Sequence, residues 1–86
     1  MQLDDVCKQL HNYISEEILE GKSIGLENNT PLLEWGIINS LEIVRLSNFV
    51  KESLGVAIPN EMMTAETMQN ITSIGTLILT LNESTN

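Results

Sequence analysis

The most informative segment of the sequence is Trp35-Gly36-Ile37-Ile38-Asn39-Ser40-Leu41-Glu42-Ile43-Val44-Arg45-Leu46. In it, a loop that contains a glycine leads into an amphipathic helix. Asparagine is a favoured N-cap residue because its side-chain oxygen accepts an unpaired amide at the helix start, and a glutamate three positions later can complete a capping box. We therefore expect Asn39 to cap this helix, Glu42 to reach back to it, and Ser40 to be the first helical residue.

The hydroxyl of Ser40 is predicted to be an attachment point. It would lie in the first helical turn, where unpaired N–H groups and the helix macrodipole favour an anion such as a phosphate ester. A catalytic serine needs a positioned base, but the single histidine, His11, lies on a separate predicted helix, and Ser40 lacks the Gly-x-Ser-x-Gly elbow. His11 also has no companion at a metal-ligand spacing. We therefore expect neither an enzyme nor a metal site.

The helix that follows Ser40 is predicted to run to Leu54 and to stop at Gly55. At about 100° per residue, one stripe of apolar side chains forms its core face, namely Ile43, Leu46, Val50 and Leu54. Leu41 and Val44 fall on the other side, with Arg45 and Asn48. Two apolar side chains beside an attachment serine predict a docking surface, although single exposed apolar residues are also common without any function.

The remaining periodicity predicts an all-α fold with three longer helices, one short third helix and a long first loop. The first helix covers residues 3–20, with Cys7 on its apolar stripe, and the last begins near residue 71 and includes Gly75, which would permit close packing. Thr64 can cap the short helix at residues 65–69. Leu33, Trp35 and Ile37 are expected to hold the loop against the core. We expect a single domain over residues 1–86, with a frayed tail at 83–86.

Composition narrows the possible partners. Twelve acidic residues against four basic ones give a formal charge of −8, which argues against nucleic acid and anionic lipid and favours proteins with basic patches. The N-terminus is acidic and has no apolar run, and no stretch approaches the ~18 apolar residues of a membrane span. We therefore expect a cytoplasmic monomer without a signal peptide or a membrane segment.

The chain resembles the acyl and peptidyl carrier proteins over residues 3–82. The likeness rests on the order and spacing of three features, namely Gly36-Ile37-Ile38-Asn39-Ser40-Leu41, the turn Gly55-Val56-Ala57-Ile58-Pro59, and residues 64–71. The resemblance implies a four-helix bundle. It also implies that Ser40 receives a 4′-phosphopantetheine arm from coenzyme A, through a phosphopantetheinyl transferase, and that the arm carries an acyl or aminoacyl thioester.

Within that family, the loop Thr30-Pro31-Leu32-Leu33-Glu34-Trp35-Gly36-Ile37-Ile38-Asn39-Ser40 is most similar to free-standing prolyl carriers of pyrrole-forming pathways. The likeness implies loading of L-proline by a stand-alone adenylating enzyme and oxidation to a pyrrolyl group by a flavin-dependent dehydrogenase. A halogenase or a condensing enzyme would follow. Alternatives are a D-alanyl, polyketide or fatty-acyl carrier, or an unmodified acidic interaction module.

The resemblance also assigns partner-binding residues, and it exposes one departure from the family pattern. The assigned set is Leu41, Val44, Arg45, Asn48, Met63 and Met68, with Met62 as a further candidate. Met63 and Met68 are equally well explained as core filler. Asn39 replaces the aspartate that usually precedes the serine, which keeps the N-cap but removes a charge that transferases can recognise.

Overall fold

The computed structural model describes residues 2–22 and 25–84. Within these ranges the chain is helical: α1 spans Leu3–Tyr13, α2 spans Ser40–Leu54 and α3 spans Ile71–Ser84. A π-helical segment, Ile14–Ile18, prolongs α1, and a single 3-10 turn covers Asn60–Met62. No strand is assigned to the described part of the chain. The prediction of an all-α fold is confirmed.

The short helix predicted at residues 65–69 is reduced to a hydrogen-bonded turn. Thr64 caps it as expected, since its Oγ1 accepts from Thr67 N–H at 3.2 Å, and Met68 N–H donates to the Thr64 carbonyl at 3.0 Å. Helix nucleation fixes several dihedral angles for a single bond, so a segment this short gains little by continuing. The described residues therefore contain three α-helices and not four. Helix α3 continues to Ser84, and residues 85–86 of the predicted frayed tail lie outside the described residues.

The core draws on every helix and on the connecting segments. Helix α1 packs closely against α3. Gly75 permits this approach, because a Cβ built there would lie 3.1 Å from both Cys7 Sγ and Leu3 Cδ1. The buried apolar side chains are Val6, Cys7, Leu10, Ile14, Leu32, Ile37, Ile38, Leu46, Val50, Val56, Ile58, Met68, Ile71, Ile74 and Ile78. Leu46 and Val50 of the predicted α2 stripe are buried, and Ile43 and Leu54 pack against the core as partly buried side chains. The predicted roles of Cys7 and Gly75 are confirmed.

Hydrogen bonds tie the long loop between α1 and α2 to α1, to α3 and to the turn before α3. His11 Nε2 on α1 donates to the Leu26 carbonyl at 2.9 Å. Leu32 N–H donates to the Gln69 carbonyl at 2.8 Å, and Thr72 N–H at the start of α3 donates to the Asn28 carbonyl at 3.1 Å. These bonds satisfy backbone groups that regular structure would otherwise pair. They fix the path of the loop that leads to α2.

Candidate functional site

The segment before α2 is anchored by two of the three predicted residues, Leu33 and Ile37, together with Leu32 and Ile38. Leu32, Ile37 and Ile38 are buried, and Ile37 N–H closes a turn on the Leu32 carbonyl at 2.9 Å. Leu33 packs against the core, as predicted, but it is only partly buried. The prediction that Trp35 anchors the loop is wrong, because its side chain is 58 % exposed. A loop has no fixed period, so the sequence carried no signal for which of its apolar residues point inward.

Asn39 and Glu42 form the predicted capping box at the start of α2. Asn39 Oδ1 accepts from Leu41 N–H at 2.9 Å and from Glu42 N–H at 3.2 Å, while Glu42 Oε1 accepts from Asn39 N–H at 3.1 Å. The backbone of Asn39 is extended, with φ −128° and ψ −171°, as an N-cap residue requires. The cap therefore makes Ser40 the first residue of α2.

Ser40 is exposed, and its side chain makes no hydrogen bond within the described residues. The single histidine does not act on it, since His11 Nε2 is committed to the Leu26 carbonyl. The expectation of free N–H groups in the first turn of α2 is only partly met. Two of the N–H groups expected to be unpaired in the first turn, those of Leu41 and Glu42, are already bonded to Asn39. An anion on Ser40 would still lie at the positive end of the helix macrodipole, but it would find fewer free amides.

The side of α2 that faces away from the core carries two exposed apolar side chains. Leu41 is 65 % exposed and Val44 is 54 % exposed, and the polar side chains of Arg45 and Asn48 are also exposed beside them. These four residues are called the α2 outer face below. Leu46 and Val50, in contrast, are fully buried on the opposite side. The assignment of the two faces is confirmed, whereas partner binding by the outer face stays a prediction.

The methionines after α2 divide between surface and core. Met68 is fully buried, so its inclusion among the partner-binding residues is corrected: the turn that Thr64 caps directs Met68 into the core just before α3 begins. Met63 is partly buried and packs against the same core, while Met62 is 39 % exposed. Core filler is therefore the correct reading for Met68. Met62 is the best placed of the three to meet a partner.

A shallow depression of about 250 Å³ adjoins the α2 outer face. It is lined by Tyr13, Arg45, Asn48, Phe49 and Glu52. The rings of Tyr13 and Phe49 stack with their centroids 4.3 Å apart and an angle of 22° between planes, and this pair joins the end of α1 to α2. The depression is open to solvent, so it extends the outer face and does not form an enclosed pocket.

The described residues contain neither a metal-binding cluster nor a membrane-spanning helix. Within 2–22 and 25–84, no group of three or more His, Cys, Asp or Glu side chains lies close enough together to hold a metal ion. None of the helices in the same ranges is both long and apolar enough to cross a membrane. The features that remain for a functional reading are the exposed serine at the start of α2 and the outer face beside it.

The chain is similar to a curated protein and to a chain of a solved structure, and no family model matches it. A protein of Serratia sp. (strain ATCC 39006), described as "Probable acyl carrier protein PigG", is 36 % identical over 50 residues, which are 58 % of this chain and 58 % of that protein. The alignment thus spans little more than half of the relative's length. A chain from a solved structure described as "Crystal structure of FAD-dependent dehydrogenase" is 37 % identical and superposes with a TM-score of 0.76.

The structural likeness covers 81 % of this chain and 99 % of the matched chain. The matched chain is therefore somewhat shorter than the present one. It shares the fold over nearly its whole length, at an identity that indicates common descent as well as a common fold.

Proposed function

We propose that the chain is an acyl carrier protein, as its partial likeness to PigG supports, and that it holds an aminoacyl group as a thioester on a 4′-phosphopantetheine arm attached to Ser40. The observation that carries this proposal is the position of Ser40, whose exposed side chain stands at the first residue of a capped helix and has no hydrogen-bonded base beside it. A hydroxyl so placed can be reached by another enzyme. It serves as a tether and takes no part in catalysis.

The residues around Ser40 fit such an arm. The exposed side chain leaves room for the bulky substituent, and the helix N-terminus favours the negative charge of its phosphate. When bound, the group supplies a terminal thiol that holds the acyl cargo. The capping box keeps the start of α2 in one conformation, so the base of the arm would have a fixed position relative to the α2 outer face.

The cargo proposed is L-proline, which a stand-alone adenylating enzyme loads and a flavin-dependent dehydrogenase oxidises to a pyrrolyl group. Support comes from the loop at residues 30–40 and from the structural likeness, since the matched chain belongs to a structure described as that of an FAD-dependent dehydrogenase. That chain is shorter than this one, and so small a chain has little room for a flavin site of its own. We therefore propose that this protein acts as the partner of a flavin-dependent dehydrogenase.

The partners would dock on the α2 outer face. Leu41 and Val44 supply the apolar contact, Arg45 and Asn48 supply polar ones, and the exposed Met62 extends the surface. Methionine suits a surface that must repack against several partners in turn. Because each enzyme must release the carrier again, we expect each contact to be small and weak.

Mass spectrometry after incubation with coenzyme A and a broad-specificity phosphopantetheinyl transferase tests the attachment. The wild-type chain should gain one phosphopantetheine, and Ser40→Ala should gain none. Ser53→Ala is the matched control, because Ser53 is also an exposed serine of α2 and its loss should leave the modification intact. No mass gain on the wild type, or a gain on Ser40→Ala, would show that the chain is an unmodified acidic module or carries its arm elsewhere.

A second experiment identifies the cargo. The modified chain is incubated with ATP and adenylating enzymes specific for proline or for alanine, and the thioester mass is read. We expect prolyl transfer, followed by a loss of hydrogen mass when the flavin dehydrogenase is added. Transfer of alanine and never of proline would replace the prolyl assignment with an alanyl carrier.

A further inference from the structure

The side-chain amide of Asn39 lies next to the proposed attachment site and has protons to donate. We propose that Asn39 Nδ2 donates a hydrogen bond to the phosphate that joins the arm to Ser40, and so holds the base of the arm against the start of α2. This inference rests on the proposed function, since it requires a phosphate ester on Ser40. It assigns Asn39 a positioning role in addition to capping.

Three backbone N–H groups at the start of α2 are already hydrogen-bonded. An anion at a helix N-terminus ordinarily binds the free backbone N–H groups there. Here Leu41 N–H and Glu42 N–H donate to Asn39 Oδ1, and Ile43 N–H donates to the Asn39 carbonyl at 2.9 Å. A phosphate could take these donors only by breaking the cap. Among the donors of Asn39 and Ser40, those that take part in no bond of the cap are the N–H of Ser40 itself and the side-chain amide of Asn39.

The Asn39 side chain is oriented by its two capping bonds. Both of its capping bonds end on Oδ1, so the acceptor side of the amide faces the helix and Nδ2 carries two donor protons on the other side. No acceptor within residues 2–22 or 25–84 engages Nδ2, because Glu42 Oε1 accepts from the backbone N–H of Asn39 instead. The residue is exposed and directly precedes Ser40.

The residues that can cap a helix differ in the groups that they present to a phosphate. Asparagine, serine and aspartate cap helices about equally well. Beside a phosphate they differ. The asparagine amide offers two N–H donors on a different atom from the capping oxygen, a serine offers one O–H on the shorter side chain and on the capping oxygen itself, and an aspartate carboxylate would repel the anion. Substitution among these three residues therefore leaves the helix start capped, and the difference between the modified and unmodified form of each chain isolates the interaction with the arm.

Thermal unfolding of the unmodified and modified forms of wild type, Asn39→Ser and Asn39→Asp tests the proposal. Attachment of the arm should raise the Tm of the wild type by about 2–4 °C more than that of Asn39→Ser, which corresponds to one exposed hydrogen bond in a domain of this size. Asn39→Asp should gain least, and its deficit should shrink in about 1 M salt, where the Debye length is about 3 Å. Equal gains for all three chains would overturn the proposal.

Nuclear magnetic resonance supplies a readout that needs no variant. In ¹H–¹⁵N spectra of the wild type, one side-chain amide proton of Asn39 should shift downfield when the arm is attached. The side chain of Asn48, which is also exposed on α2, should not shift. An unmoved Asn39 signal in a chain whose mass shows the arm would refute this inference alone. Absence of the arm from the wild type would instead refute the proposed function.

Discussion

Asn39 and Glu42 determine which residue begins α2, and thereby which side chain stands exposed at its first turn. The bonds of the capping box are local, with partners two or three residues apart, so the motif could be predicted from the sequence alone. The exposure of Trp35 could not be predicted in this way. It depends on Leu32, Ile37 and Ile38 filling the available core, which is a property of the assembled fold.

Val44→Asp tests the α2 outer face at the residue scale. Because Val44 is 54 % exposed, the added charge should change the free energy of unfolding by less than about 1 kcal/mol. Placed in a docking contact, the same charge would be desolvated against the partner. We therefore expect transfer of the amino acid from the adenylating enzyme to fall at least about tenfold, as for an interface residue worth more than 1 kcal/mol. Steady-state loading rates and helical circular dichroism measure the two effects.

Two controls define that result. Thr76→Asp adds the same charge at an exposed position of α3, away from the outer face, and should load at the wild-type rate. Val50→Asp places the charge at a fully buried position of α2 and should unfold the chain. Our assignment of the docking surface is contradicted if Val44→Asp loads as fast as Thr76→Asp, and the assignment of faces is contradicted if it loses helical signal.

At the scale of elements, the three long helices were predictable because each carries an apolar stripe over three or more turns. The Leu10, Leu46 and Ile74 positions, one on each helix, are all fully buried as the helical period requires. The turn at residues 65–69 offered too few periods for such a test. Met68 is the one large apolar residue of this turn, and only the packing of the whole molecule places it in the core. The π-helical segment after α1 likewise had no sequence signature.

The contact of α1 with α3 can be tested through Gly75. Replacing it by alanine gains about 1 kcal/mol of helix propensity, but the new Cβ would lie 3.1 Å from Cys7 Sγ. These effects oppose each other, so we expect Gly75→Ala to change the free energy of unfolding by less than about 0.5 kcal/mol. In a Cys7→Ala background the space is free, and the same change should stabilise by about 1 kcal/mol.

Urea denaturation of the four chains of this double-mutant cycle gives the coupling between the two positions. A coupling of about 0.5–1 kcal/mol is expected for side chains in direct contact. The Leu3 methyl group, equally close to the new Cβ, belongs to a partly buried side chain and can move aside. If Gly75→Ala has the same effect in both backgrounds, crowding against Cys7 does not limit the approach of the two helices.

In the molecule as a whole, the acidic side chains lie at the surface and the core is apolar. The chain carries twelve acidic side chains and four basic ones, and the described acidic residues are exposed except Glu42, which is partly buried and engaged in the cap. Such a surface repels copies of itself and attracts basic partners at a distance. Together with the small apolar area of the α2 outer face, it suits partners that bind quickly and leave quickly.

The buried thiol of Cys7 reports on opening of the whole core. Burial, together with the nearby carboxylate of Asp4, raises the pKa of this thiol above its ordinary value of 9.0. The folded chain therefore keeps the thiol neutral at a pH where the unfolded chain ionises it. The contribution to stability is complete below pH 9.0 and is lost as the pH rises through the folded pKa, at up to about 1.4 kcal/mol per pH unit.

Denaturation of wild type and Cys7→Ala between pH 8 and pH 10.5 isolates this effect, because the two chains differ only in the thiol. The difference in free energy of unfolding should be constant near pH 8 and should move against the wild type above pH 9.0. Iodoacetamide should label Cys7 of the folded chain far more slowly than in denaturant, because the side chain is only 3 % exposed. A flat difference across this range would mean that folding does not raise the pKa of the thiol. Labelling of the folded chain at the unfolded rate would mean that the contact of α1 with α3 opens without global unfolding.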